Sequence, residues 1–301
     1  MFDVEGKCEM PNKKISLGSH QVDNNSKPYL IAEIGINHNG DLQIAKKLID
    51  AAYATGWDAV KFQKRVPELS VPEDQKNVMR DTPWGRMTYL DYKKHIEFEK
   101  KEYDYIDQYC AEKPIRWTAS PWDMPSLEFI LNYDIPFIKI ASATITNDEI
   151  LKKAAESGKP VIMSTGMSTL EEIDHAVEIL EKYSDGNFIL LHANSSYPAP
   201  QKDLNLEMIE TLRDRYHCLV GYSGHELDIE PSVIAVALGA CVIERHITLD
   251  RDMWGTDQSA SVSIPGMCAL KGRVDTVAEM LGDGRKIMTE AEIKVRRKLR
   301  G

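Results

Sequence analysis

Eight short apolar runs, each followed by a stretch of helical period, constrain this chain more than any other feature. They lie at Tyr29–Ile36, Ala59–Phe62, Ile115–Ala119, Pro136–Ala141, Pro160–Ser164, Phe188–His192, Cys218–Tyr222 and Ala240–Ile247. Continuous runs rich in Ile and Val fit strands buried on both faces of a parallel sheet. Between them, Leu42-Gln43-Ile44-Ala45-Lys46-Lys47-Leu48-Ile49 has helical spacing, and Thr169 with Glu172 forms a capping box ahead of another helix. Gly56, Asn132, Gly158, Gly239 and Gly282 mark helix exits. An open doubly wound sheet would have fewer strands and a GxGxxG first turn, whereas the first turn here reads Gly35-Ile36-Asn37-His38-Asn39-Gly40. The expected fold is therefore α/β, a (β/α)8 TIM barrel over residues 29–301. A short N-terminal extension, residues 1–28, precedes it and carries one candidate strand at Lys14–Leu17.

Two segments stand outside the repeat. Arg65–Glu97, with Pro67, Pro72, Pro83 and Trp84, is too long for an ordinary connection and reads as a functional loop or lid. Lys294–Arg300 is strongly basic and reads as a solvated helix end. The net charge of −10 argues against nucleic acid or an anionic membrane as the main partner. Cys8, Cys110, Cys218, Cys241 and Cys268 are dispersed without CxxC spacing, which suggests reduced thiols. The N-terminus has no apolar leader and the chain no membrane-length apolar run, so the expected location is the cytoplasm.

Barrel enzymes place their chemistry at the C-terminal ends of the strands. Those ends offer Glu33, then Lys61 and Gln63, Ser120, and Lys139 with Ser142. They continue with Ser164 and Thr165, His192 and Asn194, Ser223 and His225, and Glu244 and His246. His225 and His246 end neighbouring strands, where two imidazoles and several waters would suit a divalent ion; the rival is a pair of hydrogen-bonded structural histidines. Lys61 and Lys139, ringed by Ser120, Ser142, Ser164 and Ser223, suit a small anion carrying carboxylate and phosphate. A Schiff-base aldolase, in which one desolvated lysine attacks a carbonyl, fits the same lysines, and spacing does not separate the two. Glu33 offers an acid, a base or a partner for sugar hydroxyls. Asp257, in Trp254-Gly255-Thr256-Asp257-Gln258-Ser259, offers the same or a simple turn. Arg213, Arg215, Arg245 and Arg251 are available to a sugar phosphate, or are ordinary helix-end arginines.

Taken in order, these segments resemble the N-acetylneuraminate (sialic acid) synthase family, which includes the legionaminic and pseudaminic acid synthases. The matching pieces are Ala32-Glu33-Ile34-Gly35-Ile36-Asn37-His38-Asn39-Gly40, Ala59-Val60-Lys61-Phe62-Gln63, Ser120-Pro121-Trp122-Asp123 and Lys139-Ile140-Ala141-Ser142. They continue through Ser164-Thr165-Gly166-Met167, Leu191-His192, Tyr197-Pro198, Gly221-Tyr222-Ser223-Gly224-His225 and Glu244-Arg245-His246. The resemblance spans about residues 29–300. It implies a transferase that condenses phosphoenolpyruvate with the aldehyde of an N-acetylmannosamine-like sugar, releasing phosphate and yielding a nonulosonic acid. It implies that Lys61, Ser120, Lys139, Ser142, Ser164 and Ser223 hold phosphoenolpyruvate, with Asn194 among the substrate-binding residues. It implies further that His225 and His246 bind Mn²⁺ or Mg²⁺, that Glu33, Tyr197 and Asp257 meet the sugar, and that the enzyme is a homodimer. The alternatives are an aldolase or lyase using a Schiff base on the same barrel, or a non-catalytic sugar-binding barrel.

Three departures qualify the resemblance. Relatives usually carry a carboxylate where Thr144 stands, so either Glu33 or metal-bound water is the expected base, or the sugar partner differs. Many have Asp where Gly224 precedes the first metal histidine, so one possible orienting group is missing. Most continue into an antifreeze-like domain where this sequence stops, so either Arg65–Glu97 or the leader 1–28 is expected to cover the sugar pocket instead.

Overall fold

The computed structural model describes residues 13–300, and Cys8 and the leader's first residues lie outside that range. Eight parallel strands form the frame: β1 (Tyr29–Gly35), β2 (Ala59–Lys64), β3 (Arg116–Pro121), β4 (Ile138–Ile140), β5 (Val161–Ser164), β6 (Phe188–Ala193), β7 (Leu219–Gly224) and β8 (Val242–Thr248). Hydrogen-bonded neighbours run β3-β2-β1-β8-β7-β6-β5-β4. No backbone ladder joins β3 to β4 among the described residues, but the Thr118 hydroxyl donates to the Phe137 carbonyl at 2.8 Å across that seam. The sheet is thus a nearly closed barrel.

Among the described residues eight helices surround it: α1 (Leu42–Ala54), α2 (Lys100–Glu112), α3 (Met124–Ile130), α4 (Asp148–Glu156), α5 (Leu170–Ser184), α6 (Met208–Tyr216), α7 (Glu230–Ala237) and α8 (Ile264–Leu281). Their starts follow local chemistry. Asp41, Asp123 and Asn147 accept from first-turn amides, and Thr169 with Glu172 forms the expected capping box. The helix Glu290–Arg300 follows, with no buried residue, as its run of basic residues suggests.

Side-chain parity along the strands positions the site. In β1, Leu30, Ala32 and Ile34 point outward into the layer beneath the helices, while Tyr29 and Ile31 point inward, with Glu33 beyond them. The same switch recurs elsewhere: Ala59 then Lys61, Phe137 then Lys139, Ile162 then Ser164, Leu219 then Ser223, Val242 then Glu244. Inward residues are apolar at the strand entries and polar at the exits.

The entry end is closed by a hairpin, Ile15–Leu17 with His20–Val22, whose Ile15, Leu17 and Val22 join the inner apolar layer. Only the first of these strands is visible in the sequence, because the second is three residues long with two of them exposed. The described part of the leader, residues 13–28, therefore seals the end opposite the polar mouth, whereas the expectation had the leader covering the mouth; residues 1–12 lie outside the described range. Burying such inward side chains contributes roughly 1.5–3 kcal/mol each.

The excursion after β2 packs on the loops that follow β1 and β8, at the polar end of the barrel. It contains the turn of helix Pro67–Ser70, the hairpin Met79–Thr82 with Gly85–Thr88, and the helix Tyr89–Ile96. Tyr92 and Ile96 pack on Ile36, and Trp84 and Tyr92 meet Trp254 edge-on at 5.5 and 5.2 Å. Gly40 makes the approach feasible, since a Cβ there would lie 2.6 Å from the His95 carbonyl oxygen.

Candidate active site

At the mouth, the strand ends enclose a cavity of about 180 Å³ lined by Glu33, Lys61, Gln63, Ser120, Lys139, Ser142, Ser164, Tyr197, Ser223, His225, Glu244 and His246, with Trp122, Met167 and Ser195 at its side. Register explains the convergence. Glu33 pairs with Lys61 on one side and His246 on the other, and Ser223 pairs with Glu244.

Two buried lysines form the floor. Lys61 Nζ lies 2.7 Å from Glu33 Oε2, donates to the Ser120 hydroxyl at 3.0 Å and sits 3.7 Å from Glu244. Lys139 Nζ donates to the Ser164 hydroxyl at 2.7 Å and lies 3.6 Å from Glu244. Burial works against both charges, with different outcomes. For Lys61 the carboxylates Glu244 and Glu33 outweigh burial and hold the ammonium above its ordinary range. For Lys139 burial wins over Glu244, and its pKa is pushed down to about 8. Glu244, between them, is held below the ordinary carboxyl range because Lys139 and Lys61 outweigh its own burial.

Above the lysines stand the two histidines, ring centroids 5.6 Å apart. His225 Nδ1 donates to the Asn194 carbonyl at 2.6 Å, which leaves Nε2 as a lone-pair acceptor; the Tyr197 hydroxyl donates to it at 3.0 Å. Burial, then the neighbouring His246, pushes the His225 pKa down to about 3, so its ring is neutral at pH 7. His246 Nδ1 is buried without a hydrogen-bond partner, 3.9 Å from Asp257 Oδ2. A neutral imidazole oriented by a carbonyl, beside one with an unmet nitrogen, fits a divalent ion. Among the described residues no third His, Cys, Asp or Glu completes a ligand cluster, so water or substrate oxygen would fill the other positions.

Several expected residues act by support. The Asn194 side chain donates to the Asp203 carbonyl and accepts from the Ser196 amide, so its main-chain carbonyl, not its amide, serves the site through His225. His192 is tied to the Leu204 carbonyl at 2.7 Å. Ser142 Oγ accepts from the Gly166 amide at 3.0 Å. Thr144 closes a short turn by donating to the Ala141 carbonyl and faces a neighbouring groove with Asn147 and Asp148, outside the lysine cavity. Asn37 holds the Ile247 carbonyl and the Ser261 hydroxyl, while His38 stacks on Phe98 at 3.9 Å.

The four arginines named for a sugar phosphate are engaged elsewhere. Arg245, 1% exposed, pairs with Glu226 at 2.8 Å. Arg213 donates to the Leu238 carbonyl, Arg215 binds Asp174, and Arg251 donates to the Ser261 and Leu227 carbonyls. Glu244 and Gln63, which donates to Glu33 at 3.1 Å, are central residues that the sequence reading left without a role. Their positions two residues before His246 and two after Lys61 were the available signal, because residues two apart share a strand face.

Fold and mouth together define a class, a (β/α)8 barrel enzyme with a cationic, hydroxyl-lined pocket beneath an imidazole pair. More particularly, the chain belongs to the NeuB family, whose model matches residues 48–286 and whose synthases condense phosphoenolpyruvate with a sugar. It is 37% identical over 276 residues to the N-acetylneuraminate-9-phosphate synthase of Homo sapiens, covering 90% of this chain and 76% of that one. It is also 37% identical over 272 residues to the N,N'-diacetyllegionaminic acid synthase of Campylobacter jejuni, covering 89% and 81%. The solved N-acetylneuraminic acid synthetase of Leptospira borgpetersenii superposes with a TM-score of 0.84 at 35% identity, covering 96% of this chain and 98% of that one. No helix among the described residues is long and apolar enough to cross a membrane.

Proposed function

We propose that this protein condenses phosphoenolpyruvate with the open-chain aldehyde of an N-acetylmannosamine-like sugar, giving a nonulosonic acid and phosphate. The observation that carries the reading is the pairing of Lys61 and Lys139 at one cavity floor, with four serines around them and the two histidines above. Phosphoenolpyruvate carries a carboxylate and a phosphate, which the ammonium groups bind, while Ser120, Ser142, Ser164 and Ser223 supply directed hydroxyls. Carbon 3 of the enol attacks the aldehyde carbon, and the aldehyde oxygen ends as a hydroxyl. Cationic character develops at carbon 2, where water adds and loses a proton. Phosphate then leaves by cleavage of its C–O bond, and the carbon 2 carbonyl forms.

Glu33 is the carboxylate best placed to take the water's proton, since Thr144 is outside the cavity and Glu244 is held between the two ammonium groups. A divalent ion, Mn²⁺ or Mg²⁺, held by His225 and His246 would supply Lewis acidity to the aldehyde oxygen. Tyr197 and Asp257 flank that position and bind the sugar. The helix and hairpin of the excursion form the pocket's cover within one chain, and assembly as a homodimer in the cytoplasm completes the reading. Phosphate release that needs both a sugar and Mn²⁺, and that EDTA abolishes, is the expected result. Sugar-independent or EDTA-resistant release would defeat it.

One observation favours a second reading: Lys139, with its lowered pKa, resembles a Schiff-base lysine. Borohydride treatment with pyruvate or a sugar aldehyde distinguishes the two. Covalent mass added at Lys139 supports an aldolase, and an unmodified lysine supports the synthase.

A further inference from the structure

The two oxygens of the Glu33 carboxylate have different partners. Lys61 Nζ lies 2.7 Å from Oε2, while Oε1 accepts from Gln63 Nε2 at 3.1 Å. The far end of that amide is held as well, because the Arg65 guanidinium donates to Gln63 Oε1. Lys61, Gln63 and Arg65 follow one another at two-residue steps along β2 and its exit, so they share a face. Gly35 leaves room for the contact: a Cβ there would stand 3.1 Å from Glu33 Oε1 and 3.3 Å from Gln63 Nε2.

Chemistry sets the direction of this row. A guanidinium only donates, a carboxylate only accepts, and a primary amide does each from a different end. With Arg65 on Oε1, Nε2 faces Glu33. Without Arg65 the amide is free to turn over and set its own oxygen against the carboxylate. Arg65 itself is 4% exposed and fastened on two sides. Its Nε lies 3.6 Å from Glu97 Oε2, its main-chain amide donates to Glu97 Oε1 at 3.0 Å, and its guanidinium stacks on Trp122 at 4.5 Å. Glu97 is held in turn by Lys64, whose ammonium donates to its Oε1 and to the Phe98 carbonyl, each at 2.9 Å. Arg65 and Glu97 are the two ends of the excursion, so the pair that joins those ends also fixes the amide. Gln63 and Glu33 line the cavity and Arg65 does not, so Arg65 reaches the chemistry through Gln63.

We propose that Arg65, clamped by Glu97, is a positioning residue for Glu33: by fixing the Gln63 amide it holds the carboxylate in the orientation that takes a proton from the water adding at carbon 2. The assignment rests on Glu33 being the base of the synthase reaction, and adds to that reading a residue outside the cavity.

A double-mutant cycle tests it. The kcat and the KM for phosphoenolpyruvate are measured with N-acetylmannosamine and Mn²⁺ for the unaltered protein, Arg65→Met, Glu33→Gln and the two together, with Arg65→Lys as the conservative variant. Arg65→Met should lower kcat about tenfold to a hundredfold, the scale of a displaced catalytic group, and leave the KM for phosphoenolpyruvate within about twofold. In the Glu33→Gln background the same substitution should change kcat by less than about twofold, since no base remains to be oriented. Arg65→Lys, which also only donates, should retain most of the activity. Arg65→Gln repeats the cycle where the methionine variant does not fold. Equal losses in both backgrounds overturn the inference, because a purely structural arginine costs the same with or without Glu33. An unchanged kcat in Arg65→Met overturns it as well. Full kcat in Glu33→Gln removes the base role on which it stands, while sugar-dependent phosphate release in that variant leaves the synthase reading intact.

Discussion

Lys61 and Lys139 show how two chemically identical side chains diverge by one neighbour. Both are buried beside Glu244, but only Lys61 also has Glu33 within 2.7 Å. Lys139, with a pKa near 8 against an ordinary 10.5, loses its proton in the folded protein while the unfolded chain still holds it. Between those values the unfolded state binds more protons, so this residue's contribution makes stability rise with pH. Anion binding runs the other way, because it needs the ammonium. The KM for phosphoenolpyruvate should therefore climb as pH rises above about 8, and a flat profile from pH 7 to 10 would refute the role given to Lys139. If the histidines hold the metal as proposed, His225→Gln should cut kcat by about a hundredfold or more and weaken Mn²⁺ binding measured by calorimetry, since two protein ligands leave no redundancy.

At the scale of elements, the site depends on where loops are pinned. Gly166 follows β5 so closely that a Cβ would stand 2.3 Å from Ser195 Oγ and 2.9 Å from Ser142 Oγ. Gly166→Ala should displace the serine ring and raise the KM for phosphoenolpyruvate, at a stability cost of about 1–3 kcal/mol. Unchanged kinetics would show that Ser142 does not position the anion. After β7, the loop holding His225 is tied down by Arg245, which binds Glu226, the Asp228 carbonyl at 2.9 Å and Ser232 at 3.0 Å. Arg245→Met leaves Glu226 charged and buried, so a loss of about 3–5 kcal/mol is expected in denaturant unfolding. Pairing it with Glu226→Leu should recover much of that loss.

Across the whole molecule, function and closure occupy opposite ends of one barrel. The hairpin from Ile15 to Val22 fills the entry end, and residues 65–97 pack on the loops at the exit. Leu17→Ala should therefore destabilise the fold by about 2–5 kcal/mol while kcat at low temperature stays close to the original. A large kcat loss in the folded variant would mean that the hairpin also shapes the mouth.

The barrel was legible in the order of the amino acids alone. Periodicity located all eight strands to within a few residues, because buried parallel strands leave uninterrupted Ile- and Val-rich runs, and parity then pointed the lysines, serines and histidines to one face. Helix caps such as Thr169 with Glu172 were equally legible, being local. What depends on contacts between distant segments emerged only on folding. Glu244 is close to both lysines, Asn194 serves through its carbonyl, and Thr144 turns away from the cavity. Arg245 is a buried strut for the loop after β7. Those outcomes turn on burial and on which charge lies within a few ångströms, and spacing along a chain does not encode either.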